Sequence, residues 1–154
     1  LAIPADDEAE SAVRAGTPRP DVSSEEALRR AVLAARTLGH STGPSGIALL
    51  KLFERWGIAE ALRDRLVQAP AGVPVGALLA RGEVELGFQQ RSELTHLEGI
   101  DLIGEMPPGA QIVTTFSAAL CAVSVQAAAV HELLDYMQSP QTAALKRRNG
   151  MEPA

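Results

Sequence analysis

Residues 37–57, TLGHSTGPSGIALLKLFERWG, pass from strand-like to helical character through a run of small residues, and this junction constrains the fold more than any other stretch. TLGHS has the length and residue types of a short strand. Beyond it, Ile47, Leu50 and Phe53, flanked by Leu49, Leu52 and Trp56, recur at three- and four-residue spacing and predict a helix. Pro44 or Ser45 opens that helix and Gly57 ends it, because proline suits a first turn and glycine takes up the left-handed residue that stops one. His40 to Gly46 supply little packing, so their value lies in the backbone, the small polar groups and the turn.

The same alternation recurs downstream. Ser23 and Glu26 read as a capping box ahead of a helix over about residues 24–36, with Ala27, Leu28, Ala31, Val32 and Ala35 on one face. IAEALRDRL predicts a short helix, VQAP a short strand, and VPVGALLAR a helix closed by Gly82. EVELGFQQ alternates at Val84, Leu86 and Phe88 and predicts a strand. RSELTHLEG reads as a helical turn, IDLIGEM as a strand and QIVTTFSAALCAV as the longest β-like run. Two helices close the chain, the second with Ser139 as N-cap, Pro140 at its first position and Gly150 as its stop. Residues 1–11, LAIPADDEAES, carry four acids without a clear period and read as an irregular segment. Strands alternating with helices predict an α/β protein with a mainly parallel sheet and helices on its faces.

Composition narrows the function. At 154 residues the chain has the length of about one domain. Its net charge is −5, and its basic residues are scattered among acids, so no stripe exists to follow a phosphate backbone and nucleic acid is not an expected partner. The lone Cys121, in the run SAALCAV, reads as a small buried hydrophobe and builds neither a disulfide framework nor a zinc site. No apolar run approaches the ~20 residues that span a bilayer, and the chain does not open on a basic and then apolar leader, which leaves a cytoplasmic chain or an exported one without its leader.

The strand–turn–helix junction is the first candidate site. The first amides of a helix lack internal partners, the helix dipole adds about half a positive charge there, and Ser41, Thr42 and Ser45 offer hydroxyl donors beside Gly46. An anion fits such a seat without Lys or Arg. The alternative is an ordinary turn in which glycine serves packing and Ser45 serves as a cap. Gly72 and Val73, before the helix in PAGVPVG, offer a second seat at the carboxyl end of a strand. Gln89, Gln90 and Arg91 stand where another strand leaves the sheet and have the donors to read a carboxylate or oxyanion, the alternative being an ordinary solvated strand end. No Walker loop, dinucleotide fingerprint, nucleophile elbow or zincin motif is present. His40 touches the first seat and is the one histidine placed to act as an acid or base; His96 reads as a loop surface residue and His131, mid-helix, as a surface or core-edge one.

AVRAGTPRPD, STGPSGIALLKLFERWGI, LLARGEVELGFQQRSEL, GIDLIGEMP and LLDYMQSPQTAALKRRNGMEPA together resemble the second lobe, hinge strands and carboxyl-terminal helices of molybdate-binding-protein-like periplasmic receptors, the type II solute-binding proteins of ABC importers. The resemblance covers about residues 12–154. It implies an α/β receptor that closes on a small anion, with an ABC permease as partner, a periplasmic location, no cofactor and no catalytic residue. It divides the chain into residues 1–11, a second lobe with its entering hinge strand over 12–110, and a returning hinge strand with helices of the first lobe over 111–154. It assigns ligand contacts to Ser45, Gly46, Gly72, Val73 and Gln90. Molybdate receptors resemble this pattern with a tyrosine where this chain has Gln90, so the glutamine brings an organic carboxylate forward as ligand. An aconitate isomerase is similar to the same family, which makes an enzyme the alternative, with Gln89, Gln90, Arg91 and His40 as its groups. The family's amino-terminal segment has no counterpart before residue 12. The expectation that follows is a homodimer covering the incomplete lobe, or else a remnant serving only as an interaction domain.

Overall fold

The computed structural model describes residues 2–153, and side chains from residue 5 onward, so Leu1 and Ala154 lie outside it. The chain opens with β1 (Ala2–Arg14), then α1 (Glu25–Ala34), β2 (Leu38–His40) and α2 (Pro44–Arg55). A short α3 (Ala59–Leu62) and one 3-10 turn lead to β3 (Leu66–Gln68), α4 (Val75–Ala80), β4 (Leu86–Gln90) and α5 (Arg91–Leu94). β5 (Ile100–Glu105), β6 (Val113–Ala118), α6 (Ala127–Gln138) and α7 (Pro140–Arg148) complete it.

The sheet runs β3-β2-β4-β1-β5, with β6 also on β1. β2 pairs in parallel with both β3 and β4, as the alternation of strands and helices requires, but β1 is antiparallel to β4, β5 and β6. The sheet is therefore mixed rather than mainly parallel. The cause is β1 itself: residues 2–11, expected to be irregular, are part of a 13-residue strand. No alternation announces it because three strands flank it, and Ala9, Glu10, Ser11, Ala12 and Val13 are all buried in succession.

Two apolar layers cover the sheet. Leu28 and Val32 of α1 and Leu49, Leu52 and Phe53 of α2 pack with Leu38, Leu86 and Phe88 on one face. Val75, Leu78 and Leu79 of α4 pack with Ala12, Val84 and Leu94 on the other. At roughly 1.5–3 kcal/mol for each large side chain removed from water, these layers are the main stabilising term. The second layer is thin where Gly39 of β2 lies opposite Gly87 of β4. A Cβ at Gly39 would stand 2.9 Å from Val75 Cγ1, and one at Gly87 2.8 Å from the same atom. The paired glycines let α4 sit directly on the sheet.

Several local expectations shift by small amounts. Ser24, not Ser23, caps α1, accepting from the Ala27 amide at 3.1 Å. In α2 the buried face is Ser45, Gly46, Leu49, Leu52 and Phe53, while Ile47 points out at 54% exposure, because the helix start turns its small residues toward the sheet. The run 111–123 forms a strand only over Val113–Ala118, and Cys121 beyond it is exposed rather than buried. Ser139 flanks α7, but its hydroxyl donates to Tyr136 O instead of capping. No helix is long and apolar enough to cross a membrane among the described residues.

Candidate functional site

Because β2, β3 and β4 run the same way, their carboxyl ends at His40, Gln68 and Gln90 lie on one edge of the sheet. That edge carries the start of α2, the turn after β3 and the start of α5. The α2 end is built for close approach. Gly43 is its N-cap without a side-chain cap, Pro44 occupies the first position, and no acid stands in the first turn. The amides of Ser45 and Gly46 fall among those for which a helix has no internal acceptor. A Cβ on Gly46 would lie 1.9 Å from Ser41 O, so only glycine allows the turn to fold back over the helix start.

The hydroxyls are ordered into a chain. Ser45 Oγ, buried, donates to Gln90 Oε1 at 2.9 Å, and Ser41 Oγ lies 3.2 Å from Ser45 Oγ. A hydroxyl has one hydrogen; with that of Ser45 committed to Gln90, Ser41 is the donor to Ser45. The two serines are thus not the free donors expected from sequence. They fix the glutamine amide through its oxygen, and its Nε2 has no hydrogen-bond partner among the described residues. Thr42 is exposed at the mouth of the turn. His40 is buried, with Nδ1 3.0 Å from Ser41 O. A carbonyl only accepts, so Nδ1 holds the hydrogen and Nε2 of the neutral ring keeps its lone pair.

The remaining sequence candidates have structural duties. Gln89 Oε1 accepts from the Val75 amide at 2.7 Å and its Nε2 donates to Glu93, which pins α4 and α5 to the end of β4. Gly72 adopts φ +79°, and the Val73 amide donates to Pro70 O at 3.0 Å, so that turn closes on itself. The Arg91 guanidinium binds Glu105 at 2.8 Å and faces Glu10 at 3.8 Å. It is committed to carboxylates of its own chain. Ser41, Ser45, Gly46 and Gln90 are brought together; Gln89 and Arg91 flank them as supports.

An acidic pair that sequence reasoning did not single out lies beside this edge. Asp7 accepts from both the amide and the hydroxyl of Ser92, at 3.2 and 2.5 Å, and burial pushes its carboxyl above the ordinary value. Glu10 is also pushed up, chiefly by burial, and its Oε2 has no hydrogen-bond partner among the described residues. The only hint of them in the sequence was the density of acids in residues 1–11. Among the described residues no group of histidine, cysteine and acidic side chains is arranged to hold a metal.

Comparison with known proteins agrees with this architecture. The family model for bacterial extracellular solute-binding proteins matches residues 9–152. An aconitate isomerase from Pseudomonas sp is 38% identical over 143 residues, covering 92% of this chain and 54% of that protein. The chain thus spans about half the length of this curated relative. A substrate-binding domain from Clostridium difficile, assigned to a molybdenum ABC transporter, superposes with a TM-score of 0.76 at 14% identity, over 99% of this chain and 66% of that one. The periplasmic molybdate-binding protein of Azotobacter vinelandii gives 0.67 at 17% identity, over 99% and 67%, and an R. palustris protein solved with adipate gives 0.65 at 16%, over 99% and 58%. At such identities the superpositions speak for the fold, which is that of type II periplasmic binding proteins. From the match over nearly its whole length, the chain belongs to the family of bacterial extracellular solute-binding proteins.

Proposed function

We propose that this chain carries the anion-holding half of a periplasmic solute receptor that feeds an ABC importer, and that its ligand is a small carboxylate. The observation that carries the reading is the direction of the Ser41–Ser45–Gln90 chain. It leaves Gln90 Nε2 as a donor beside the free amides and positive end of α2, while Ser41 Oγ, its hydrogen given to Ser45, keeps its lone pairs; the hydrogens on offer are those of Gln90 Nε2 and the helix start. A deprotonated carboxylate, which only accepts, complements it. The preference for an organic acid over molybdate is supported by Gln90 itself and by the higher identity to the aconitate isomerase than to the molybdate-binding structures. A second copy of the chain covers the apolar surface of β6, α6 and α7 in this reading.

Calorimetric titration with molybdate, tungstate, sulfate and a series of di- and tricarboxylates tests the proposal. A carboxylate is expected to bind without being converted, and Gln90→Met to weaken it at least about tenfold, roughly 1.4 kcal/mol. Binding of molybdate alone, or of no anion, overturns the carboxylate assignment.

The second reading is an isomerase of an unsaturated tricarboxylate, favoured by the 38% identity to aconitate isomerase. His40 is then the base, since its Nε2 keeps the lone pair while Ser41 O holds Nδ1–H. Interconversion of cis- and trans-aconitate, lost in His40→Gln while binding persists, would establish it.

A further inference from the structure

The end of the sheet opposite the anion seat holds a cavity of about 660 Å³ that the receptor reading does not use. It opens around Thr37 and Leu86, where β2 and β4 begin. The four residue steps from Leu86 to Gln90, at about 3.3 Å each, set it roughly 13 Å from the seat. Its size falls in the range of small-molecule pockets, with an apolar floor and a charged rim whose acids, Glu83 and Glu85, are paired with Arg81 and Arg36. Val13, Ala31, Ala35, Val84 and Leu86, all buried, form that floor. Ala31 and Ala34 of α1 and the C-cap Ala35 line it with small side chains.

Three arginines stand around it, and their commitments differ. Arg19 pairs with Asp101 at 3.1 Å and Arg36 with Glu85 at 3.3 Å. Arg14, at the end of β1, has no carboxylate or other acceptor on its guanidinium among the described side chains. Its Nη1 lies 3.2 Å from where a Cβ on Gly82 would stand, so the helix-ending glycine also makes room for this cation at the rim. An unpaired guanidinium beside an apolar floor matches an anion carried on an apolar body, because the planar fork takes both oxygens of a carboxylate.

We propose that this cavity is a second ligand site, selective for a monocarboxylate with an apolar tail or ring, with Arg14 as the carboxylate-binding residue. The site is independent of the anion seat and stands whether or not the receptor reading holds.

Amide chemical-shift titration of the full chain with 4-phenylbutyrate tests it, with 4-phenylbutanol as the uncharged comparison. Saturable shifts are expected at Thr17, Thr37 and Glu83 to Glu85, and not at Ser41 to Gly46. Arg14→Gln should weaken 4-phenylbutyrate at least about tenfold, Arg14→Lys less, and leave 4-phenylbutanol unchanged. Ala34→Phe, on the exposed rim, should block the acid with the guanidinium intact. Shifts confined to the seat, no saturation at millimolar acid, or equal affinity in Arg14→Gln overturns the proposal.

Discussion

Asp7 and Glu10 show how a single residue can work against the fold that buries it. Each carboxyl is held above its ordinary value, 3.8 for Asp7 and 4.5 for Glu10, chiefly by loss of solvent, with neighbouring acids adding to the rise at Glu10. Between the ordinary and the raised value the folded chain binds more protons than the unfolded one, so these groups make stability rise as pH falls through that window. Their stabilising contribution is complete below the ordinary values and is lost as pH climbs past the raised ones. Glu10→Gln should therefore raise the thermal midpoint at pH 7 by about 2–4 °C, the shift that roughly 1 kcal/mol produces in a chain of this size. The gain should shrink toward pH 4, where wild-type Glu10 is itself neutral; thermal unfolding across that range checks both. The seat was legible at this scale in part: Ser45, Gly46 and Gln90 could be named because a turn, a helix start and a strand end are local patterns. The acids could not, since the partner that orders Asp7 is Ser92, 85 positions away.

Elements were readable where their own periodicity matches their surroundings. α1, with acids in its first turn and four buried residues on one face, repeats in space what it shows in sequence; β4 is a strand as its alternation predicts, but all five of its residues are buried rather than every second one. β1 hid because flanking strands, not its side-chain pattern, make it a strand, and β6 came out short because apolar residues alone do not fix where pairing ends. The seating of α4 was equally invisible. It depends on Gly39 and Gly87 facing each other across two strands that are separated in sequence. Gly87→Ala puts a methyl group against Val75 and Leu79 and should cost about 1–3 kcal/mol, the usual penalty of overpacking. A lower urea midpoint with an unchanged slope is the expected result, since the fold remains and only its fit suffers.

Across the whole molecule the apolar surface is unevenly covered. The helices on the sheet's two faces are well packed, yet Phe116 on β6, Leu133 and Tyr136 on α6, and Leu145 on α7 are 40%, 56%, 55% and 48% exposed. Val123 and Val125 are almost fully exposed at 90% and 96%. All of these fall within residues 116–145, and apolar surface gathered into a patch marks an interaction site. Sedimentation equilibrium is expected to give twice the chain mass of 16.2 kDa; a compact monomer would overturn the proposed association. The expectation that the final helices present apolar faces is met by Leu133, Tyr136 and Leu145, although β6 itself pairs with β1.

β1 changes both of its neighbours within about two residues. Gln90 of β4 stands opposite Ala9, while Val113 of β6 stands opposite Glu8 and the tail residue Glu152 bridges Asp6. Ala9 itself is shared, its N–H going to Ile112 and its C=O taking Met106. The two halves of the molecule are thus riveted to one ribbon on either side of a single peptide unit. Any bending of the ribbon falls there, next to Gln90, and so the proposed seat lies at the fulcrum itself.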